Sequence, residues 1–527
     1  MLPGNFFEKY RLPFIKKPWH RLFFIFFLFS LPFSIRKVLA IFSADGTFNE
    51  YTDISLYLSD IFLIAVLLIY ILENRLSFLS IVYWKRMFHV EHLFLPIFIP
   101  FFFVFWSGLS IFWAQNLSLA TFSFIKVIEG YFLYLYVLLS NVPRGTLERD
   151  QTTTGKCSTW NIWQTVFVIT IISAFFQSII AILQFIQQKS LGITILNESV
   201  FSINDHGIAK ILINENLFIR SYGFFPHPNV LGGFLAISLL ISTAYPLIFG
   251  YNLKLYNCST WNIFKRIKRL FHVEHYINIW LYRSLIVTQL LALFFTFSKS
   301  AILGYIIGFI ILIFGIRQMF HTNVPHNCST WNIFKRIKRL FHVEHLVVII
   351  GILLTGIIIF SFNLRFFLVQ PAIERLFYTK SLQILFQSYF FQGLGIGQFV
   401  FVMQQFFHEK LEIWQFQPIH NVFLLIFSET GIVGISLFIW FFVYVFLKNN
   451  SNVPHNCSTW NIFKRIKRLF HVEHFQNITV NLLFRSILVV IAIIMLFDHY
   501  FWDIQQGQLL FWLVLSLAVS KHTIRKH

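Results

Sequence analysis

A few short stretches hold most of the side chains in this sequence that are able to do chemistry. Arg220-Ser-Tyr-Gly-Phe-Phe-Pro-His227-Pro-Asn229 puts a guanidinium, an imidazole and an amide within ten residues, and its two prolines and glycine restrict the chain that carries them. A guanidinium suits phosphate or carboxylate; it also serves as an interfacial anchor whose head snorkels to lipid headgroups, and both readings stand for Arg220. Further on come Glu374-Arg375-Leu, then Gln392-Gly-Leu-Gly-Ile-Gly397, then Pro418-Ile-His420-Asn421, then Ser428-Glu429-Thr-Gly431. Gly393, Gly395 and Gly397 offer backbone N–H groups to a phosphate, although no strand precedes them, which makes the pattern weak by itself. His420 opens an apolar run, a place for a base or for a hydrogen-bonded cap. Glu429 lies inside that run, where a carboxylate is expensive and so belongs to a site or to a buried network.

The elements that position these residues are membrane helices. Hydrophobic residues make up 57% of the chain and charged residues 12%, against about 25% charged in soluble domains. The apolar residues come in runs of 18 or more, long enough to cross a hydrocarbon core of about 30 Å as helices. The first, Leu22–Phe33, has basic flanks and no small-residue cleavage site, which predicts a retained helix. A hydropathy reading predicts an all-α integral membrane domain over residues 1–527 with about twelve transmembrane helices, at 21–42, 54–72, 93–113, 119–140, 165–186, 229–250, 279–297, 300–318, 346–362, 421–447, 484–497 and 509–520. Two long connections interrupt it, at 187–228 and 363–420, and loops of that length in a compact protein usually carry function.

A net charge of +20 and four cysteines suggest nucleic-acid or zinc binding until the repeats are seen. Asn257–His275 reads NCSTWNIFKRIKRLFHVEH, and the same nineteen residues recur at Asn327–His345 and Asn456–His474. Fragments stand at Phe88–His92 and Cys157–Ile162. Solenoid repeats diverge and keep a period; these copies are identical and irregularly spaced, as an element inserted in frame would be. The three copies supply nine of the net positive charges, and Cys157, Cys258, Cys328 and Cys457 all fall in the CSTWN segment. One cysteine per copy does not make a zinc site, and the basic IFKRIKRLF stretch suits an amphipathic helix on an anionic leaflet better than nucleic acid. The inserts and fragments follow the second, fourth, sixth, eighth and tenth spans and therefore share one side. The basic termini join them, and the positive-inside rule places that side, with both ends of the chain, in the cytoplasm. The two long connections then face outward.

In this order the motifs resemble the O-antigen ligase and polymerase family: Arg220-x-x-Gly-x-x-x-His227-Pro-Asn229, Phe297-Ser298-Lys299, an arginine, Gly393-x-Gly395-x-Gly397-x-Phe399, His420-Asn421, and Glu429-x-Gly431-Ile-x-Gly434 inside a span. Asp498-His-Tyr-Phe-Trp502 fits the closing motif. The resemblance covers roughly residues 20–520 without the inserts. It implies a GT-C type glycosyltransferase of the cytoplasmic membrane that takes a glycan from an undecaprenyl-pyrophosphate carrier, with no cofactor, nucleotide sugar or metal. Its acceptor is a lipid, glycan or protein hydroxyl. The essential residues map to Arg220, Arg375 and His420, with His227, Asn229, Lys299, Gly395, Gly397, Asn421 and Glu429 as substrate-binding positions. Lys299 stands where the family has arginine, and Arg365 competes with Arg375 because the tryptophan expected after it is missing. Ligase, polymerase and protein O-oligosaccharyltransferase all fit the same motifs. A flippase or transporter predicts inverted repeats, and the sequence has none.

Overall fold

The computed structural model describes residues 18–42, 48–78, 91–140, 161–205, 207–213, 216–249, 279–323, 378, 381–407, 410–412, 415–451 and 472–520. The chain is mostly helical. Among the described residues seven helical segments are long and apolar enough to cross a membrane: Phe94–Trp113, Leu117–Ser140, Ile162–Gln187, Pro228–Phe249, Lys299–Gln318, Val422–Asn449 and Ile478–Phe497. Three shorter apolar helices, Trp19–Ser30, Tyr282–Phe295 and Gln505–Val519, accompany them. In chain order the helices are α1 (Trp19–Ser30), α2 (Leu58–Phe78), α3 (Glu91–Leu109), α4 (Leu117–Ser140), α5 (Ile162–Gln187), α6 (Pro228–Phe249), α7 (Ile279–Phe295) and α8 (Lys299–Asn323). After them come α9 (Ser381–Ser388), α10 (Phe399–Val402), α11 (Val422–Ser451), α12 (Val472–Phe497), α13 (Tyr500–Asp503) and α14 (Gln505–Val519).

α6 is the most enclosed span, flanked by α5, α7, α8 and α12. α14 lies against α4 and α11, and α11 against α3. Where helices approach closely the residue is small: a Cβ on Gly233 would stand 1.9 Å from the Tyr500 hydroxyl, and one on Gly130 2.1 Å from the Trp512 ring. In lipid such contacts replace the hydrophobic drive that water would supply.

The expected first span, 21–42, is shorter than hydropathy suggests. α1 ends at Ser30, and Arg36–Ala40 forms a strand, β1, paired antiparallel with β2 (Ile54–Tyr57). Pro32 follows the helix end and lacks the N–H that would continue it, while the apolar residues of β1 extend the hydropathy signal past that point. A second hairpin, β3 (Lys210–Ile213) with β4 (Asn216–Ile219), lies between α5 and α6. The expected span at 346–362 lies outside the described residues.

Connections at one end of the bundle are tied to one another. Asn49 donates to the Phe416 carbonyl at 3.2 Å, Gln177 to Pro32 at 2.9 Å, Trp113 to Gln392 at 3.1 Å and Asn421 to Leu496 at 3.0 Å. The repeat elements attach at the opposite helix ends, after α2, α4, α6, α8 and α11. Three of them reach into described helices: α3 begins at Glu91, inside the first fragment, Asn161 caps α5, accepting from the Gln164 N–H at 3.2 Å, and α12 begins at Val472, inside the last copy.

α11 is broken. Gly431 has φ 67° and ψ −171°, a conformation open to glycine at little cost. The chain from 390 to 395 fills the break: Leu394 donates to Ser428 O and Gly395 to Glu429 O, each at 2.9 Å, and Ile432 donates to Phe390 O at 2.8 Å.

Candidate functional site

The Arg220 turn is built by two glutamines of α5, seven residues apart and so on one helix face. Gln184 accepts from the Gly223 N–H at 2.8 Å and donates to the Gly223 carbonyl at 3.0 Å; Gln177 accepts from Phe224 N–H at 2.9 Å. With its backbone held, Arg220 directs Nε to the Thr296 carbonyl at 2.7 Å and an Nη to the Asn229 amide oxygen. The Thr296 carbonyl is available because α7 stops there: Phe297 turns left-handed, φ 48°, before α8 starts at Lys299. Asn229 passes the link on, donating to Asp498 at 2.7 Å. Its own N–H donates to His227 Nδ1 at 3.2 Å, which leaves the ring proton of neutral His227 on Nε2. Burial lowers the Arg220 guanidinium to about 10, against the opposing pull of Tyr222 and Asp498, so it stays a cation at neutral pH. Burial, with Arg220 and His499 nearby, holds His227 well below its ordinary value, hence neutral.

His420 meets a second histidine. Its ring stacks on that of His499, centroids 5.0 Å apart and 12° from parallel, and Tyr378 borders it at 5.9 Å. His499 Nδ1 pairs with Asp503 at 2.9 Å, and its backbone N–H donates to Asp498 at 3.0 Å. Burial opposes a charge on His499, but the ion pair and hydrogen bond to Asp503, aided by Asp498, outweigh it and hold the imidazole above its ordinary value. His420, Asp498 and His499 bring one ligand-type atom each within 4.8 Å of one another. Both Asp498 oxygens and one His499 nitrogen already have protein partners, and His420 joins them through the ring stack.

The remaining expected positions support this arrangement. Asn421 caps α11, accepting from Leu424 N–H at 3.0 Å. Glu429 is buried and accepts from the Trp502 indole at 2.8 Å. The Gly395 N–H is taken by the Glu429 carbonyl, and a Cβ on Gly397 would lie 2.0 Å from Ser123 Oγ; both glycines serve close packing. Lys299 opens α8, half-buried, one turn from Thr296. Arg375 and its competitor Arg365, like the four cysteines, lie outside the described residues.

Beside the histidine pair is a cavity bordered by Glu50, Tyr51, Lys126, Gly397, Glu429 and Asp503. Beneath it Lys126 bridges Asp60 at 2.5 Å and Glu129 at 3.3 Å. The expectation for this site included none of Asp498, His499, Asp503, Gln177, Gln184, Asp60 and Lys126 as site residues. For the glutamines the available signal is their seven-residue spacing in an apolar helix; for Asp60 and Lys126 it is a charge inside an apolar run.

The O-antigen ligase family model matches residues 284–439, from α7 into α11, and so takes in Lys299, the glycine run, His420 and Glu429. Over that stretch the chain is similar to the O-antigen ligase family. No curated protein matches it. The family match and the membrane-length helices together support a multi-pass membrane protein of the ligase or polymerase type of glycan transferase. The Arg220 turn and the Asp498–Asp503 segment flank the matched region in sequence yet are bonded to it in space, through Thr296 and through the histidine stack.

Proposed function

We propose that this O-antigen ligase family member transfers a glycan from an undecaprenyl-pyrophosphate carrier to an acceptor hydroxyl at the outer face of the cytoplasmic membrane, as a ligase ahead of a polymerase. The observation that carries this reading is the chain of contacts from Arg220 through Asn229 and Asp498 to the histidine pair, which sets a fixed cation and an imidazole into one site. The acceptor oxygen attacks the anomeric carbon and its proton passes to His420. The bond from that carbon to the pyrophosphate oxygen breaks, and its electron pair leaves on the pyrophosphate. Arg220 faces the departing charge with its guanidinium already oriented, in a site that excludes water; Arg375 and Lys299 are assigned to the same leaving group. The lipid tail enters laterally between spans. His227, as a neutral Nε2–H donor, and Asn229 contact the donor head, and Glu429 and Asn421 hold the wall behind His420.

Both termini and all inserts are assigned to the cytoplasm. An impermeant thiol reagent on intact cells is then expected to label none of Cys157, Cys258, Cys328 and Cys457, and to label them in inverted vesicles. Purified protein given a lipid-linked oligosaccharide and defined acceptors is expected to form product with release of undecaprenyl pyrophosphate, and to do so in the presence of a chelator. Transfer to a lipid A-core acceptor identifies a ligase, extension of the donor glycan a polymerase, and modification of a serine-containing protein an O-oligosaccharyltransferase. The absence of product with every acceptor overturns the reading.

A further inference from the structure

The groups that line the cavity beside the histidine pair set what it can hold. Four carboxylates border it, those of Glu50, Asp53, Glu429 and Asp503. Glu50 pairs with Arg36 and accepts from the Tyr57 hydroxyl at 2.9 Å. Asp53 accepts from the N–H groups of Phe42 at 2.9 Å and Asn49 at 2.7 Å, and Glu429 accepts from the Trp502 indole. Asp503 differs: Oδ1 pairs with His499, while Oδ2 is buried with no hydrogen-bond partner among the described residues. Among the described residues Lys126 is the one cation at the cavity wall, and Asp60 and Glu129 already hold it. Tyr51 and Trp502 give the wall its aromatic part. Tyr51 also meets the His499 ring edge-on at 5.3 Å, so the cavity adjoins the histidine pair directly.

We propose that this cavity is the acceptor subsite: it takes the terminal sugar of an uncharged or amine-bearing glycan, whose hydroxyl or ammonium donates to Asp503, and it turns away phosphorylated and carboxylated sugars. The inference rests on the transferase reading for what the bound sugar then does. An ionised carboxylate only accepts hydrogen bonds, so the group that satisfies Asp503 has to be a donor. An ionised phosphate also only accepts, and it would meet like charge where water screens little. An aromatic wall with a few convergent polar groups is the usual make-up of a small-ligand pocket. The arrangement also divides the site by charge. His499 Nδ1 turns to Asp503 and the cavity, while its backbone N–H bonds Asp498, which holds Asn229 and through it Arg220. The cation suited to a pyrophosphate thus stands on one side of His499 and the acidic cavity on the other, which sorts donor from acceptor.

The test reads sugar binding without turnover. Saturation-transfer NMR on purified full-length protein in detergent uses the methyl glycosides of glucose, glucosamine, glucuronic acid and glucose 6-phosphate. The first two are expected to bind, and the two anionic sugars to bind about tenfold more weakly or worse. Asp503→Asn and Tyr51→Leu should each weaken the first two about tenfold. Asp503→Asn should also narrow the gap to the anionic sugars, which a residue that only holds shape would not do. Anionic sugars that bind as well as the others, no binding by any of the four, or binding unchanged in both variants overturns the proposal. In the transfer assay, Tyr51→Leu should raise KM for the acceptor about tenfold and leave KM for the lipid-linked donor within about twofold; a rise confined to the donor assigns the cavity to the donor and overturns the proposal as well. If the wild type uses no lipid-linked donor, the transferase reading fails while the glycoside series still decides the cavity. Should the variants not fold, the order of the four glycosides on the wild type carries the test alone.

Discussion

The two ends of this helix bundle are built by different rules. At one end nearly every connection is tied to another by a side-chain-to-backbone bond, and Asn229, Gln398 and Asn421 each join segments distant in sequence: Asn116 N–H, for instance, donates to Gln398 Oε1 at 2.8 Å. At the other end the connections accept copies of a nineteen-residue element at irregular places. Chain length is cheap in a loop, about 0.6 kcal/mol for each doubling, whereas a lost buried hydrogen bond leaves its partner unsatisfied at about 1–3 kcal/mol. An insertion at the tied end would break several such bonds at once. The inserts therefore trace the surface on which no geometry has to be kept.

That contrast predicts a descending series of effects. His420→Ala, at the centre of the tied end, is expected to lower transfer about 10³-fold while the protein still enters the membrane; near-normal product formation in folded, inserted protein would remove His420 from the mechanism. Arg220→Lys should cost about 10²-fold, because an ammonium cannot span the Thr296 carbonyl and the Asn229 amide as the guanidinium does. The loss should appear in donor use, with acceptor binding little changed. Gly431→Ala acts on stability. Its Cβ would lie 2.2 Å from the Phe391 carbonyl oxygen at a positive φ, a conformation that costs an L-residue roughly 1–2 kcal/mol before the clash is counted. Thermal unfolding in detergent should shift down measurably, and an unshifted curve would refute the staple between loop and helix. Gln184→Ala should loosen the Arg220 turn and reduce transfer about tenfold, the size of one lost buried hydrogen bond. Deleting Asn327–His345, or residues 456–471 so as to spare the start of α12 at Val472, should change transfer less than twofold. A large loss there, in protein that reaches the membrane, would erase the distinction between the two ends.

The sequence showed the parts of this site that are local. Arg220, His227 and Asn229 stand within ten residues, and the structure links Arg220 to Asn229 and Asn229 to His227. His420 was marked by its place before an apolar run and by the family motif. What composition and spacing do not encode is partnership across hundreds of residues: Asn229 with Asp498, His420 with His499, Gln177 with Pro32. A hydropathy window also averages over a change of element, which is how β1 became part of the expected first span. The glycine run reads as a phosphate cradle because glycine frees the backbone to approach a ligand; here the close approaches are to the protein's own chain, Gly393 to α11, Gly395 to the Ser110–Ala114 segment and Gly397 to Ser123 of α4.

The break at Gly431 bears on how the protein is made. A 30-residue helix interrupted by a left-handed glycine presents carbonyls and an N–H that its own turns do not satisfy, and each would cost several kcal/mol against lipid. Residues 390–395 supply those partners, yet they precede α11 in the chain and wait outside the bilayer while it is inserted. Biogenesis thus has an order: the span enters first, and its two halves settle only once residues 390–395 have slotted in. Until that moment the helix holds unsatisfied backbone within the membrane, and the seating of residues 390–395 is the step that completes it.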